Sequence, residues 1–152
     1  MQIGARLAAV VAGILVCGLA YAQAPMMRAE KELLTYVNHA RQAEGLPALQ
    51  WNESLAAAAR RHALAMARHG SVQHGFDGEL SLSARVKQAG AHFSWLAENV
   101  AEGPTAKFIH SQFMISGSHR ANILDRDMDS IGVGVVERNG QLFAVEDFSR
   151  AP

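Results

Sequence analysis

Two apolar alternations, "IGVGVVE" and "QLFAVEDF", flank Asn139-Gly140, with Arg138 just before it, and no other stretch constrains the fold as tightly. Asn-Gly accommodates the positive φ that a type I′ turn needs at both central positions, and that turn matches the twist of paired strands, so the spacing predicts an antiparallel hairpin. Upstream the period changes. From Met26 to Glu44 the residues Leu33, Tyr36, Val37 and Ala40 recur at helical spacing, and Gly45 follows where a helix-ending glycine belongs. "LPALQW" then reads as an extended connector, because Pro47 disfavours helix at Leu46. Asn52 is placed to cap a second helix with Leu55, Ala59, His62 and Met66 on one face and alanine filling much of the rest, ended by Gly70.

The middle of the chain is less regular. Glycines around Phe76-Asp77 mark a loop, and "SLSARVKQAG" reads as a short helix capped by Ser81 or Ser83 and ended by Gly90. "HFSWLAENV" reads as a short strand or extended arm. Pro104 suits a first helical turn, followed by Phe108, Ile109, Phe113 and Met114 at helical spacing. Gly117 is expected to end that helix in the left-handed conformation, with Ser118 capping a short turn. Helices first and a hairpin last predict an α+β fold in layers. Trp51 and Trp95 are expected to anchor the core.

Length and composition set the limits. A chain of 152 residues, 49% of them hydrophobic, suits one packed domain, expected over residues 26–150. The first 22 residues read differently. Arg6 precedes an apolar run from Leu7 to Leu19, and Ala20-Tyr21-Ala22 fits a signal peptidase site, so export with cleavage after Ala22 is expected, to the periplasm or the medium. The run is short for a membrane anchor, and Val16 before Cys17 is a poor lipoprotein signal. Cys17 is the only cysteine and would leave with that segment, so the mature chain would have neither disulfide nor thiol nucleophile. Loss of Arg6 leaves 13 basic against 14 acidic side chains, which argues against nucleic acid or an anionic membrane as a partner. All seven histidines lie beyond residue 22.

Three polar residues stand at element ends: His74 in "SVQHGF", Glu98 in "WLAENVAEG" and His119 in "SGSHRANIL". Two neutral imidazoles and a carboxylate could hold zinc with a position open to water. Their separation along the chain carries no ligand signature, however. A His-Glu contact could instead orient a general base, with Glu98 as a weak catalytic candidate, yet no serine, threonine or cysteine identifies itself as a nucleophile. Asn99, Arg120 and Asn122 read as structural support, Arg120 reaching a carboxylate or carbonyls and Asn122 bonding local backbone. His62 and His69 read as packed or rim positions, and His39, His92 and His110 carry no signal.

The ordered set "LLTYVNHARQAEGLPALQWNESLAAAARRHALAMARHG" with Asn38, Arg41, Gly45, Leu49 and Trp51, then Gln73-His74, "ARVKQAG", Glu98-Asn99-Val100-Ala101, "SGSHRANIL" and "IGVGVV", resembles the CAP superfamily of cysteine-rich secretory, antigen and pathogenesis-related proteins. The likeness is to its small bacterial secreted members and covers about residues 30–148. It implies an α-β-α sandwich: a small twisted antiparallel sheet between helical layers, with a cleft lined by two histidines and two acids. Carried over by motif, His74 and His119 are the histidines and candidate metal ligands, for zinc or another divalent cation, and Glu98 is the first acid. The second acid has no counterpart, its place falling near Ser116, and Phe113 stands where tryptophan is commoner. The resemblance leaves several functions open: a cleft for a divalent metal or small polar ligand without turnover, a metal-dependent, peptidase-like hydrolase, a lipid or sterol carrier, or a protein-interaction module.

Overall fold

The computed structural model describes residues 26–152; the expected signal segment, with Arg6, Cys17 and the cleavage site, lies outside the described residues. Helix α1 runs over Arg28–Ala43, and its end is a Schellman turn. Leu46 N donates to Arg41 O and Gly45 N to Gln42 O, with Gly45 at φ 70°. The connector ends in a two-residue strand, β1 (Gln50–Trp51), and Asn52 then caps helix α2 (Glu53–His69) by accepting from Leu55 N at 3.1 Å. Gly70 closes α2 at φ 64°.

Helix α3 (Leu82–Gln88) is capped by Ser81, one of the two serines expected. The "HFSWLAENV" segment becomes a nine-residue strand, β2 (Trp95–Gly103). Helix α4 (Ala106–Ile115) starts later than expected: Thr105 caps it by accepting from Phe108 N, and Pro104 precedes the cap instead of lying in the first turn. Gly117 is also corrected. It is absent from the positive-φ glycines and opens a second short helix, α5 (Gly117–Ile123), while extended Ser116 makes the corner between the two helices. Strands β3 (Ser130–Arg138) and β4 (Gln141–Arg150) form the expected hairpin, with Asn139 at φ 53° and Gly140 at φ 74°.

The sheet order is β1-β3-β4-β2, with β3, β4 and β2 antiparallel and β1 added in parallel beside β3, so the sheet is mixed. Helices cover both faces. One face carries Ile131, Val133, Val135, Ala144 and Phe148 against Leu33 and Val37 of α1, Ile109 and Phe113 of α4, and Ile123 of α5. The other face carries Val100, Phe143 and Val145 against Ala59, Ala63 and Met66 of α2.

Two glycines let α2 approach so closely. A Cβ at Gly132 would stand 2.1 Å from Ala56 N, and one at Gly134 would stand 2.2 Å from Arg60 N. Helix backbone therefore lies directly on β3, and alanine is the residue that α2 can present there.

Trp95 does not anchor the core. It is 59% exposed, because it starts β2 at the sheet edge opposite Arg150, past the cover of the helices. Trp51 is half-buried and donates its indole N–H to Glu53 Oε2 at 2.9 Å. Arg41, by contrast, is fully buried and donates to the carbonyls of Pro47, Ile123, Asp125 and Met128, so α1 clamps the chain that leaves α5.

Candidate functional site

Edge strand β2 brings the predicted residues together. His74 stands on the loop after α2, its side chain 62% exposed, and donates or accepts through Nδ1 at 2.9 Å from Glu98 Oε1. Glu98 is buried on the face that α2 covers. Its other oxygen, Oε2, accepts from Arg85 Nη2 of α3, and Arg85 is itself buried. A carboxylate beside a guanidinium accepts rather than donates, so Nδ1 of His74 donates to Glu98 and Nε2 is the ring nitrogen left for another partner.

The loop bearing His74 is fixed from beneath. His62 of α2, fully buried, reaches Gln73 O with Nε2 at 2.8 Å and Glu79 Oε1 with Nδ1 at 2.7 Å. Glu79 Oε2 in turn accepts from Phe76 N at 3.2 Å, and Arg85 Nη1 donates to the carbonyls of His74 and Leu80. His62 is thus packed, as expected. His69 lies at the rim, stacked on Phe76 with ring centroids 4.1 Å apart.

His119 arrives on α5, from the layer on the other side of the sheet. Its ring meets Phe113 edge-on at 5.1 Å. Burial, and secondarily the charge of His74, hold its pKa below the ordinary histidine value, so the two imidazoles stand near enough to feel one another. Asn99 anchors this helix: its Nδ2 donates to His119 O at 3.2 Å and its Oδ1 accepts from Asn122 Nδ2 at 2.9 Å. Asn122 also reaches Glu98 O at 3.4 Å, so its partners are long-range and not the local backbone expected for it. Arg120 points away and pairs with Glu44 of α1 at 2.9 Å, both groups about half exposed, which adds little stability. Ser116, near the place of a second acid, sits 3.3 Å from the Ser118 hydroxyl.

Two acids that the sequence reading passed over lie behind this arrangement. In the β2–β4 register Glu98 faces Asp147 and Asn99 faces Glu146, and both β4 acids are fully buried. Burial, then the Glu98 charge, pushes the Asp147 carboxyl well above the usual carboxylate range, against the pull of Arg85. Glu146, on the opposite face, is pushed up to about 8 by burial, although its bond from Asn99 opposes the shift. Glu146 is therefore mostly protonated at pH 7. The signal for them was the pair of adjacent acids in "AVEDF": where both faces of a sheet are covered, both parities of a central strand are buried.

His74 and His119 are the candidate donors for a cation, and the donor set stops there. Among the described residues no group of three or more His, Cys, Asp or Glu side chains is placed to hold a metal ion, and both Glu98 oxygens are engaged. Any further ligands would come from solvent or from a bound molecule.

Residues 34–148 match the model of the cysteine-rich secretory protein family, CAP. Uncharacterized protein YkwD of Bacillus subtilis is 33% identical over 109 residues, 71% of this chain and 42% of its own length. An extracellular protein containing an SCP domain from Bacillus anthracis superposes with a TM-score of 0.75 at 24% identity, over 80% of this chain and 40% of that one. An outer surface protein of Borrelia burgdorferi superposes with a TM-score of 0.76 at 18% identity, over 86% of this chain and 98% of that one. The chain thus spans about two fifths of the length of the two Bacillus proteins.

Proposed function

Because this chain belongs to the cysteine-rich secretory protein (CAP) family, we propose that it is an exported CAP domain that captures a divalent cation, or a small polar ligand of the same donor preference, between His74 and His119. One observation carries the reading: Glu98 holds the largely exposed His74 ring by Nδ1, which leaves Nε2 as the nitrogen available to a ligand. Burial favours neutral imidazole at His119, the form that donates to a metal. With two protein ligands, such an ion would keep coordination positions for water or a substrate group, where it would act as a Lewis acid. Glu98 orients His74 and is unsuited to abstract a proton, since Arg85 and His74 already occupy its oxygens. No turnover is assigned.

Export is inferred from the signal-like residues 1–22 and agrees with the extracellular and surface character of the two structural neighbours. No helix among the described residues is long and apolar enough to cross a membrane. Zinc titrated into the purified protein should give binding heat that disappears in His74→Ala and in His119→Ala. A parent protein that gives no heat removes the metal reading, and heat that survives both substitutions moves the site elsewhere.

A further inference from the structure

The two buried acids of β4 stand behind the two histidines in a regular way. Successive residues of a strand face opposite sides, so the cross-strand pair Glu98 and Asp147 lies on one face of the sheet and the pair Asn99 and Glu146 on the other. On the first face Glu98 holds His74 by its ring. On the second, Asn99 holds the backbone of His119 and the side chain of Asn122. Asn99 therefore does for α5 what Glu98 does for the His74 loop.

Asn99 can make these contacts in one orientation. A backbone carbonyl accepts and never donates, so the NH2 group must face His119 and the amide oxygen must face Asn122. The second N–H of that group then points into the core, where Glu146 Oε2 accepts it at 3.2 Å. Without an acceptor there, Asn99 would either leave a buried donor unpaired or turn, and turning breaks both bonds to α5.

We propose that Glu146 is a positioning residue of the site: by accepting the second Asn99 N–H it fixes the amide that holds α5, and so places the His119 ring. The proposal rests on the reading that His119 faces a ligand. The role requires an acceptor of this length and no charge. Gln offers the same carbonyl oxygen, and Met fills the same volume without one.

Imidazole resonances followed against pH by NMR test this in the metal-free protein. In Glu146→Gln the His119 midpoint should stay within about 0.2 pH unit of the parent. In Glu146→Met it should rise by about half a unit or more, as a loosened ring regains water. His74, held on the other face, should move by less in both. A folded Glu146→Met protein with an unmoved His119 midpoint, or with His74 shifted equally, overturns the proposal. If Glu146→Met does not fold, hydrogen exchange in the parent decides: both Asn99 Nδ2 protons must be protected, and rapid exchange of the inner one overturns it. Zinc plays no part in these measurements, so loss of the metal reading leaves them interpretable.

Discussion

Glu146 gives the most quantitative test of the electrostatics, and it concerns stability. Its carboxyl titrates near the ordinary 4.5 in the unfolded chain and at about 8 in the folded one. Between those values the folded state holds a proton that the unfolded state has released, so folding takes up a proton and stability falls as pH rises. The contribution is intact below pH 4.5 and is fully lost above pH 8. The slope is about 1.4 kcal/mol per pH unit, which amounts to about 3 kcal/mol by pH 7 and about 5 kcal/mol at the plateau. That is a large part of the stability of an ordinary domain, about 5–15 kcal/mol.

Glu146→Gln removes the titration and keeps the shape and the acceptor for Asn99. Urea unfolding of parent and variant, followed by circular dichroism at pH 5, 6, 7 and 8, yields the difference in unfolding free energy at each pH. The variant's advantage should grow by about 1.4 kcal/mol per unit across this range. Any fixed cost of placing an amide N–H2 where Glu146 Oε1 has no partner enters as a constant offset and leaves the slope untouched. Asp147, raised in the same direction, is common to both proteins and cancels from the difference. A difference that stays flat with pH would show that Glu146 is ionised in the folded protein and that the burial argument is wrong.

Two further outcomes follow from the packing. Gly134→Ala should destabilise the protein by about 3 kcal/mol or more, measured by the same unfolding curves, because its Cβ would meet the backbone of α2 at 2.2 Å and backbone cannot give way as a side chain does; a loss under about 1 kcal/mol refutes the direct contact of helix on strand. Arg85→Met should cost about 3–5 kcal/mol at pH 7 in the same unfolding curves, since it leaves Glu98 buried without its cation beside Asp147. A loss under about 1 kcal/mol means that the buried pair of Arg85 and Glu98 does not hold this end of the site.

The parts of the fold that were legible in the sequence are those fixed by local chemistry. Asn139-Gly140, the Asn52 cap and the glycines at 45 and 70 each need particular backbone angles or side-chain oxygens, and the structure uses them as expected. Where tertiary context decides, the structure departs from what local pattern predicts. Gly117 has the composition of a helix stop, yet Ser116 turns the chain with ordinary extended angles and α5 begins at once. Trp95 has the bulk of a core residue but sits where β2 outruns the helical layers. Of the site, His74, Glu98 and His119 could be named by motif, whereas Arg85, Glu146 and Asp147 could not. Their roles depend on register and on which face of the sheet is covered, and neither is written in the residues next to them.

Placement of the site on β2 has a physical reason of its own. A histidine on a loop and another on a seven-residue helix lack intrinsic rigidity, so each has to be tied to something stiff. The helical layers bring them from opposite sides of the sheet, and those layers converge at an edge strand and nowhere over its middle. On such a strand two consecutive residues face both layers at the same height, so Glu98 and Asn99 can hold both groups within one step of chain. Each then needs a partner at its back: Asn99 finds it across the register in Glu146 of β4, and Glu98 finds it in Arg85 of α3. A slip of β2 against β4 by one residue would turn the Glu98 carboxylate toward α5 and the amide toward Arg85, misplacing both histidines at once. The interior register is guarded by Gly132 and Gly134, which admit α2 backbone where a side chain would not fit, and through β3 and β4 that close contact extends its hold to the site.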